Sequence, residues 1–300
     1  MNITYPLVSV VIPSYNHESY VKECINGVVN QSYRNIELII IDDGSNDDSV
    51  RKIEEMRSIC EKRFVRFEFV HRENRGLCQT LNQALKWCKG KYYAAVASDD
   101  VFLNFKIEKQ VSYLEVNPNT TAVFGGVILI DKNGNILRKV ERPGSFGFKD
   151  IFLNRYFLPA PTALIRRTEL EAIGYDPAMK IEDWNLWLKL TKKNMTKLVT
   201  LKESVTMYRQ HQDNMSGNSK MVYEEGLKIL NQFTDDLDYK QAVAEFELSV
   251  SSILAFNDKR NALHHFLTYL KADQYSGRAV TVLLKILIPA KVSTFLNKYI

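Results

Sequence analysis

Two pairs of adjacent carboxylates, each directly behind a hydrophobic run, define the chemistry open to this chain. Asp42-Asp43 follow "IELIII" and lead into Gly44-Ser45; Asp99-Asp100 follow "YYAAVAS". Like charges crowded at the end of a buried strand are costly unless a positive partner neutralises them. A carboxylate-rich crevice suits a hard divalent cation, and a cation there suits a phosphate-bearing ligand. Pro13, Tyr15 and Asn16 follow the apolar run "LVSVVI", and Asn74 and Arg75 follow "VRFEFV". Arg75 offers a bidentate fork for phosphate. A third acidic pair, Glu182-Asp183, opens the pattern "EDWNLWLKL". Each pair has a plainer reading. Asp99 with Asp100 fits a helix cap, Asp42 and Asp43 fit turn acids holding Gly44-Ser45, and Glu182-Asp183 fit acids favoured by a helix dipole.

These groups need a scaffold that gathers strand ends. Residues Leu7–Ile12, Ile36–Ile41, Val65–Val70 and Tyr92–Ala97 read as short, buried, β-branched or aromatic strands. Between them, Tyr20, Val21, Cys24, Ile25, Val28 and Val29 recur at helical spacing, as do Leu77, Leu81, Ala84, Leu85 and Cys88. Strands alternating with helices predict an α/β fold, a mostly parallel sheet covered on both faces. In such sheets ligands bind beyond the carboxyl ends of the strands, where the acids stand. Residues 122–140 then predict a hairpin around Asn133-Gly134. A short helix near 148–156, the Pro-rich "LPAPT" and an amphipathic helix through "EDWNLWLKLTKK" follow. From about Met221 the pattern is helical. The expected division is a catalytic domain over 1–218 and a C-terminal helical region over 219–300.

Composition narrows the function classes. The 300 residues carry a formal net charge of +5, too small to argue for nucleic acid. The four cysteines, Cys24, Cys60, Cys78 and Cys88, have no metal-ligand spacing and read as small buried hydrophobes in a reducing compartment. Neither GxGxxG nor GxxxxGK[ST] occurs. The start, "MNITYPLVSVVIPSYN", reads as a first strand and not as a leader. No apolar run reaches spanning length. The expected location is the cytoplasm.

Four segments in order resemble the family 2 glycosyltransferases, enzymes of the GT-A fold that use nucleotide sugars. They are "VSVVIPSYNHESYVKECINGVVNQSYRNIELIIIDDGSNDDS", "ENRGLCQTLNQALKWCKGKYYAAVASDD", "PTALIRRTELEAIGYDPAMKIEDWNLWLKL" and "YRQHQDNMS", covering roughly Leu7 to Ser216. The resemblance implies a Rossmann-like sheet with Pro13, Tyr15 and Asn16 lining a uracil and ribose pocket. It implies that Asp43 accepts a hydrogen bond from uracil N3–H, with Asn74 and Arg75 near the sugar diphosphate. The family's Asp-x-Asp signature has Ala97 in its first place here, so Asp100 is expected to hold Mn²⁺ or Mg²⁺. Asp99 is expected at the ribose or a metal-bound water, and His211 to complete the metal shell. Asp183 would be the base that deprotonates the acceptor hydroxyl, with Glu182 orienting acceptor or base. The implied reaction is inverting transfer from a UDP-sugar to a saccharide, polyprenyl-diphosphate-linked as in bacterial polysaccharide or O-antigen assembly.

The last segment, "SGRAVTVLLKILIPAKVSTFLNKYI", is apolar on nearly every helical face, with Lys285, Lys291 and Lys298 among the apolar residues. It reads as a helix packed on the catalytic domain or a homodimer partner, or as an interfacial helix on an anionic inner leaflet. Two other functions fit less well. A nucleotidyltransferase needs a Gly-rich basic loop after strand one, and "PSYNHESY" contains no Gly, Lys or Arg. A non-catalytic sugar-nucleotide-binding protein has Ala97 in its favour and Asp100, Asp183 and His211 against it.

Overall fold

The computed structural model describes residues 5–194, 196–211, 214, 217–272 and 276–288. The β-branched runs become the strands expected: β1 (Val8–Ser14), β2 (Ile36–Asp42), β3 (Arg66–His71) and β4 (Tyr92–Ala95). They lie in the order β3-β2-β1-β4 and are parallel throughout. Their carboxyl ends therefore form one edge. Every residue of β2 is buried, Glu37 included, as a central strand covered on both faces requires. Helices α1 (Val21–Val29), α2 (Ser49–Glu54), α3 (Arg57–Arg63) and α4 (Leu77–Trp87) supply the covering layers. Val21, Cys24, Ile25 and Val28 of α1 pack with Val8, Val10 and Ile12 of β1 in the main core.

The second half of the sheet is mixed. It adds β5 (Val101–Phe102), β6 (Ala122–Asp131), β7 (Ile136–Val140), β8 (Gly144–Phe146), β9 (Leu164–Arg166) and β10 (Leu198–Gln210). Beyond β4 the order is β9-β6-β10-β5, with β7 on β6 and β8 on β10. The hairpin β6–β7 turns at Gly134, whose φ of +85° suits glycine. β10 pairs parallel with β6 and antiparallel with the two-residue β5. Gly27 of α1 permits close approach to β5, since a Cβ there would lie 2.9 Å from Val101 Cγ1. The strand β5 has a consequence for the acid pair. Helix α5 (Lys106–Val116) begins only after Phe105, which corrects the helix-cap reading of Asp99. Helix α6 (Phe148–Phe152) leaves this part at Phe148, and α7 (Arg167–Glu171) and α8 (Glu182–Asn194) complete it.

The chain divides into two compact units, Met1–Phe148 with Tyr156–Gln212, and Lys149–Arg155 with Asp213–Ile300. The second contains α9 (Ser219–Leu230), α10 (Tyr239–Leu254), α11 (Lys259–Leu270) and α12 (Gly277–Leu287). Its core joins Leu248, Ala255, Phe266, Tyr269, Val282 and Ile286. Two acids of α10 are buried there with partners. Glu245 accepts from Arg155 at 2.8 Å, and Glu247 from Tyr223 Oη at 2.9 Å with His265 Nδ1 at 2.6 Å. Among the described residues, no helix is long and apolar enough to cross a membrane. Lys291 and Lys298 lie outside the described residues.

Candidate active site

The edge formed by β1, β2, β3 and β4 carries two acidic turns. After β2, Asp42 and Asp43 do different work. Asp42 is fully buried and accepts from Ser14 Oγ at 3.0 Å, from Ser45 N–H at 2.9 Å and from Ser45 Oγ at 2.7 Å. His71 Nδ1 stands 3.0 Å from its other side. Asp42 is thus the turn acid. Asp43 reaches across to the β3–α4 loop: Oδ1 accepts from Arg72 Nη1 and from Arg75 N–H, and Oδ2 from Gly76 N–H at 2.9 Å. Gly44, with φ of +81°, allows the two turns to meet, because a Cβ would fall 2.7 Å from Asn74 N.

The other expected nucleotide residues divide between framework and surface. Tyr15 is exposed. Asn16 sits at φ +52°, donates its N–H to Ser45 Oγ and accepts from Asn46 N–H, which ties the β1 loop to the β2 turn. Pro13 is half-buried within β1. Asn74 Oδ1 accepts from Gly76 N–H at 3.2 Å. Arg75 engages Asp43 through its backbone while its side chain is exposed; the guanidinium on Asp43 belongs to Arg72. The run "HRENRG" offers two arginines beyond the end of β3, and nothing local in it marks Arg72 as the one that turns to Asp43.

Beyond β4 the two acids have different surroundings. Asp100 is 1% exposed; Oδ1 accepts from Arg209 N–H at 2.8 Å, and Oδ2 has no hydrogen-bond partner among the described residues. Burial and the charge of Asp99 hold its carboxyl well above the usual carboxylate range. Asp99 faces the histidines. Its Oδ2 lies 2.9 Å from His211 Nε2 and 3.9 Å from His17 Nε2. These three residues form a group whose potential ligand atoms all lie within 4.8 Å of one another, and Asp100 is not in it. The turn accounts for the difference. Asp100 N–H donates to Ala97 O at 3.0 Å, which rotates Asp100 inward to the β10 backbone.

Part of the positive partner demanded by the acid pair comes from the chain itself. Arg209 of β10 is 1% exposed, and its Nε–H donates to Asp99 O at 2.8 Å while Nη2 pairs with Glu23. Its guanidinium lies over the Tyr20 ring, 4.7 Å from the centroid, and Tyr20 stacks on His211. A buried arginine so placed offsets the carboxylates and holds the end of β10. An oxygen and two imidazole nitrogens converging from three loops fit a divalent metal in kind and spacing.

The third acidic pair begins α8. Trp184 N–H donates to Asp183 Oδ1 at 2.7 Å. Burial and the neighbouring Asp183 charge push Glu182 up to about 8, while burial alone raises Asp183. Both carboxyls are thus held above their usual range at the start of one helix, the kind of setting in which a neutral acid and a base work side by side. Trp184, Leu186, Trp187, Leu188 and Leu190 are buried and anchor the helix behind the pair. Asn82 steadies the approach to α8, accepting from Tyr175 N–H at 2.8 Å and donating to Tyr175 O at 2.7 Å.

Comparison with known proteins agrees with this architecture. A family model described as glycosyl transferase family 2 matches residues 9–174, more than half of the chain. An uncharacterized glycosyltransferase of Rickettsia bellii is 30% identical over 98% of this chain and 42% of its own length, so the chain spans less than half of that relative. The Escherichia coli UDP-Glc:alpha-D-GlcNAc-diphosphoundecaprenol beta-1,3-glucosyltransferase WfgD is 28% identical over 77% of this chain and 87% of its own. A mannosyltransferase of Pyrobaculum calidifontis, solved in complex with GDP-Man and Mn²⁺, superposes with a TM-score of 0.62 at 16% identity, covering 99% of this chain and 89% of that one. The fold is GT-A, and the chain belongs to glycosyl transferase family 2.

Proposed function

We propose that the chain is a metal-dependent inverting glycosyltransferase that moves a hexose or N-acetylhexosamine from a UDP-sugar to a hydroxyl of a lipid-linked saccharide in surface-polysaccharide or O-antigen assembly. The observation that carries this reading is Asp99 Oδ2 standing between His211 and His17 at the carboxyl edge of the parallel strands. The E. coli relative's name supplies the donor and acceptor class, and its beta linkage agrees with inversion. The Pyrobaculum calidifontis structure supports Mn²⁺, with Mg²⁺ the alternative.

In this reading Asp99 and His211 hold the metal, in place of the Asp100 expected from sequence. A divalent ion held there would supply charge neutralisation for the diphosphate and the departing nucleotide. Asp43, fixed by Arg72 and by two backbone N–H groups, presents the free acceptor capacity of Oδ2 to uracil N3–H. Tyr15 offers its exposed ring as a stacking face, with Pro13 and Asn16 framing the ribose and Arg75 free to turn to phosphate. Asp183 takes the proton from the acceptor hydroxyl, and neutral Glu182 donates a hydrogen bond that orients it. Residues 1–218 would carry catalysis.

The helical unit of residues 219–300 would meet the acceptor's lipid surface. Val280, Leu284 and Leu287 of α12 are exposed around Lys285, and α11 exposes Leu263 and Leu267. Such a face suits peripheral attachment to an anionic inner leaflet from the cytoplasm.

Thermal unfolding with UDP or GDP, each with and without Mn²⁺, tests the site. Saturation at ~100 times the dissociation constant adds about 2.7 kcal/mol of stability, a shift of a few degrees. The reading expects a UDP shift that needs Mn²⁺ and is lost in Asp99→Ala. A wild type that neither nucleotide stabilises contradicts it.

A further inference from the structure

The loop after β1 brings a second imidazole to Asp99. Asn16, in the left-handed region, redirects the chain. The next N–H, that of His17, is fixed by Ser49 Oγ at 2.9 Å. His17 Nδ1 lies 2.7 Å from Ser98 Oγ, so both neighbours in the Ser98-Asp99 pair are engaged by histidine. In the tautomer that donates Nδ1–H to Ser98 Oγ, Nε2 carries the lone pair that a metal takes, the usual way an outer hydrogen bond orients a ligating histidine. The His17 and His211 rings meet at 85° with centroids 5.8 Å apart. At metal–ligand distances of about 2.1 Å, neighbouring donors of an octahedral ion sit ~3 Å apart and opposite donors ~4.2 Å apart. The 2.9 Å and 3.9 Å separations from Asp99 Oδ2 fall within that range. Ala97, two residues earlier, brings no oxygen from its side chain.

Resting on the reading that Asp99 and His211 hold a divalent metal, we propose that His17 is the third protein ligand and that this two-imidazole, one-carboxylate set selects Mn²⁺ over Mg²⁺. Imidazole nitrogen suits later first-row ions, whereas Mg²⁺ favours an all-oxygen shell with several waters. His17 thereby acts on metal choice as well as on affinity.

The test is titration of the full chain with Mn²⁺ alone, reading free Mn²⁺ by its electron paramagnetic resonance signal, followed by displacement with Mg²⁺. The variants are His17→Asn, Asp99→Ala and His211→Ala, each checked by metal-free thermal unfolding. Asparagine keeps a polar atom near Ser98 and removes the Nε2 donor, so a merely positional histidine would be replaced without loss. The expected result is at least a tenfold weaker Mn²⁺ affinity in His17→Asn, of the order seen when a metal site loses one supporting group. Mg²⁺ binding should change far less, so that the preference narrows. If His17→Asn binds Mn²⁺ as wild type while Asp99→Ala does not, His17 is no ligand and the Asp99–His211 reading stands. If wild type leaves free Mn²⁺ unchanged, or Asp99→Ala and His211→Ala bind as wild type does, the metal reading itself is overturned.

Discussion

His211 Nε2 lies 2.9 Å from Asp99 Oδ2 across 112 residues of sequence. Long strand β10 makes that contact possible. It runs beside β5, whose two residues directly follow the acid pair, and delivers Arg209 and His211 to the same turn. Binding chemistry and sheet topology meet at this one pair.

The roles of the adjacent acids separate by substitution. Asp99→Asn is expected to abolish the Mn²⁺-dependent UDP shift without loss of fold. Asp100→Asn should keep the shift, because the amide is of the same size and its Oδ1 still accepts from Arg209 N–H. Thermal unfolding of the two variants side by side measures this. Equal loss in both would return Asp100 to the metal.

The Glu182-Asp183 pair has a pH signature. Glu182 is raised to about 8 in the folded chain, against about 4.3 when unfolded. Between those values the folded state binds more protons, so this group's contribution falls as pH rises from about 4 to about 8. Glu182→Gln should flatten that part of the profile of melting temperature against pH. Asp183→Asn should leave UDP binding intact and lower kcat by about 10²–10⁴. The acid limb of wild-type kcat/KM should lie above the ordinary Asp range, since burial raises Asp183.

Arg72 is a positioning residue for the uracil acceptor. Arg72→Ala removes the guanidinium from Asp43 and from Thr80 Oγ1. The expected outcome is a donor KM raised roughly 5- to 150-fold, the equivalent of about 1–3 kcal/mol for a buried acceptor that loses its partner. kcat should change little. Steady-state kinetics with varied donor separates the two.

Lys106 titrates in the opposite sense to Glu182. It is fully buried, donates to Gln110 Oε1 and Ala163 O, and burial holds its amine well below the usual lysine range. The unfolded chain binds the extra proton, so this contribution grows as pH rises toward about 10.4. Lys106→Met should weaken that rise in melting temperature across alkaline pH. An unchanged slope would mean that the amine is charged in the fold.

Much of the scaffold was legible because its signals are local. The runs ending at Ile12, Ile41, Val70 and Ala97 are rich in β-branched or aromatic residues, the last outrunning its strand by two residues, and Asn133-Gly134 marks its hairpin. β10 was not legible. Its sequence "LVTLKESVTMYRQ" mixes charges into the alternation, and its pairing with β6 and β5 is set by distant partners. The different surroundings of Asp99 and Asp100 were not legible for a related reason. The two acids lie in the turn after β4, where a bond such as Asp100 N–H to Ala97 O sets which carboxyl is buried against β10 and which faces the histidines. His17 and Arg209 went unnoticed because each gains meaning only from residues on other strands.

The most direct measurement is acceptor-dependent UDP release. The purified chain, with Mn²⁺, would be given UDP-Glc, UDP-Gal, UDP-GlcNAc and UDP-GalNAc in turn, with a GlcNAc-diphospholipid acceptor and with GDP-Man as control. Wild type and Asp183→Asn would be run together. The account predicts release from one UDP-sugar that requires acceptor and falls at least ~100-fold in Asp183→Asn while UDP binding persists. Equal release by both proteins, or release from GDP-Man alone, would contradict it.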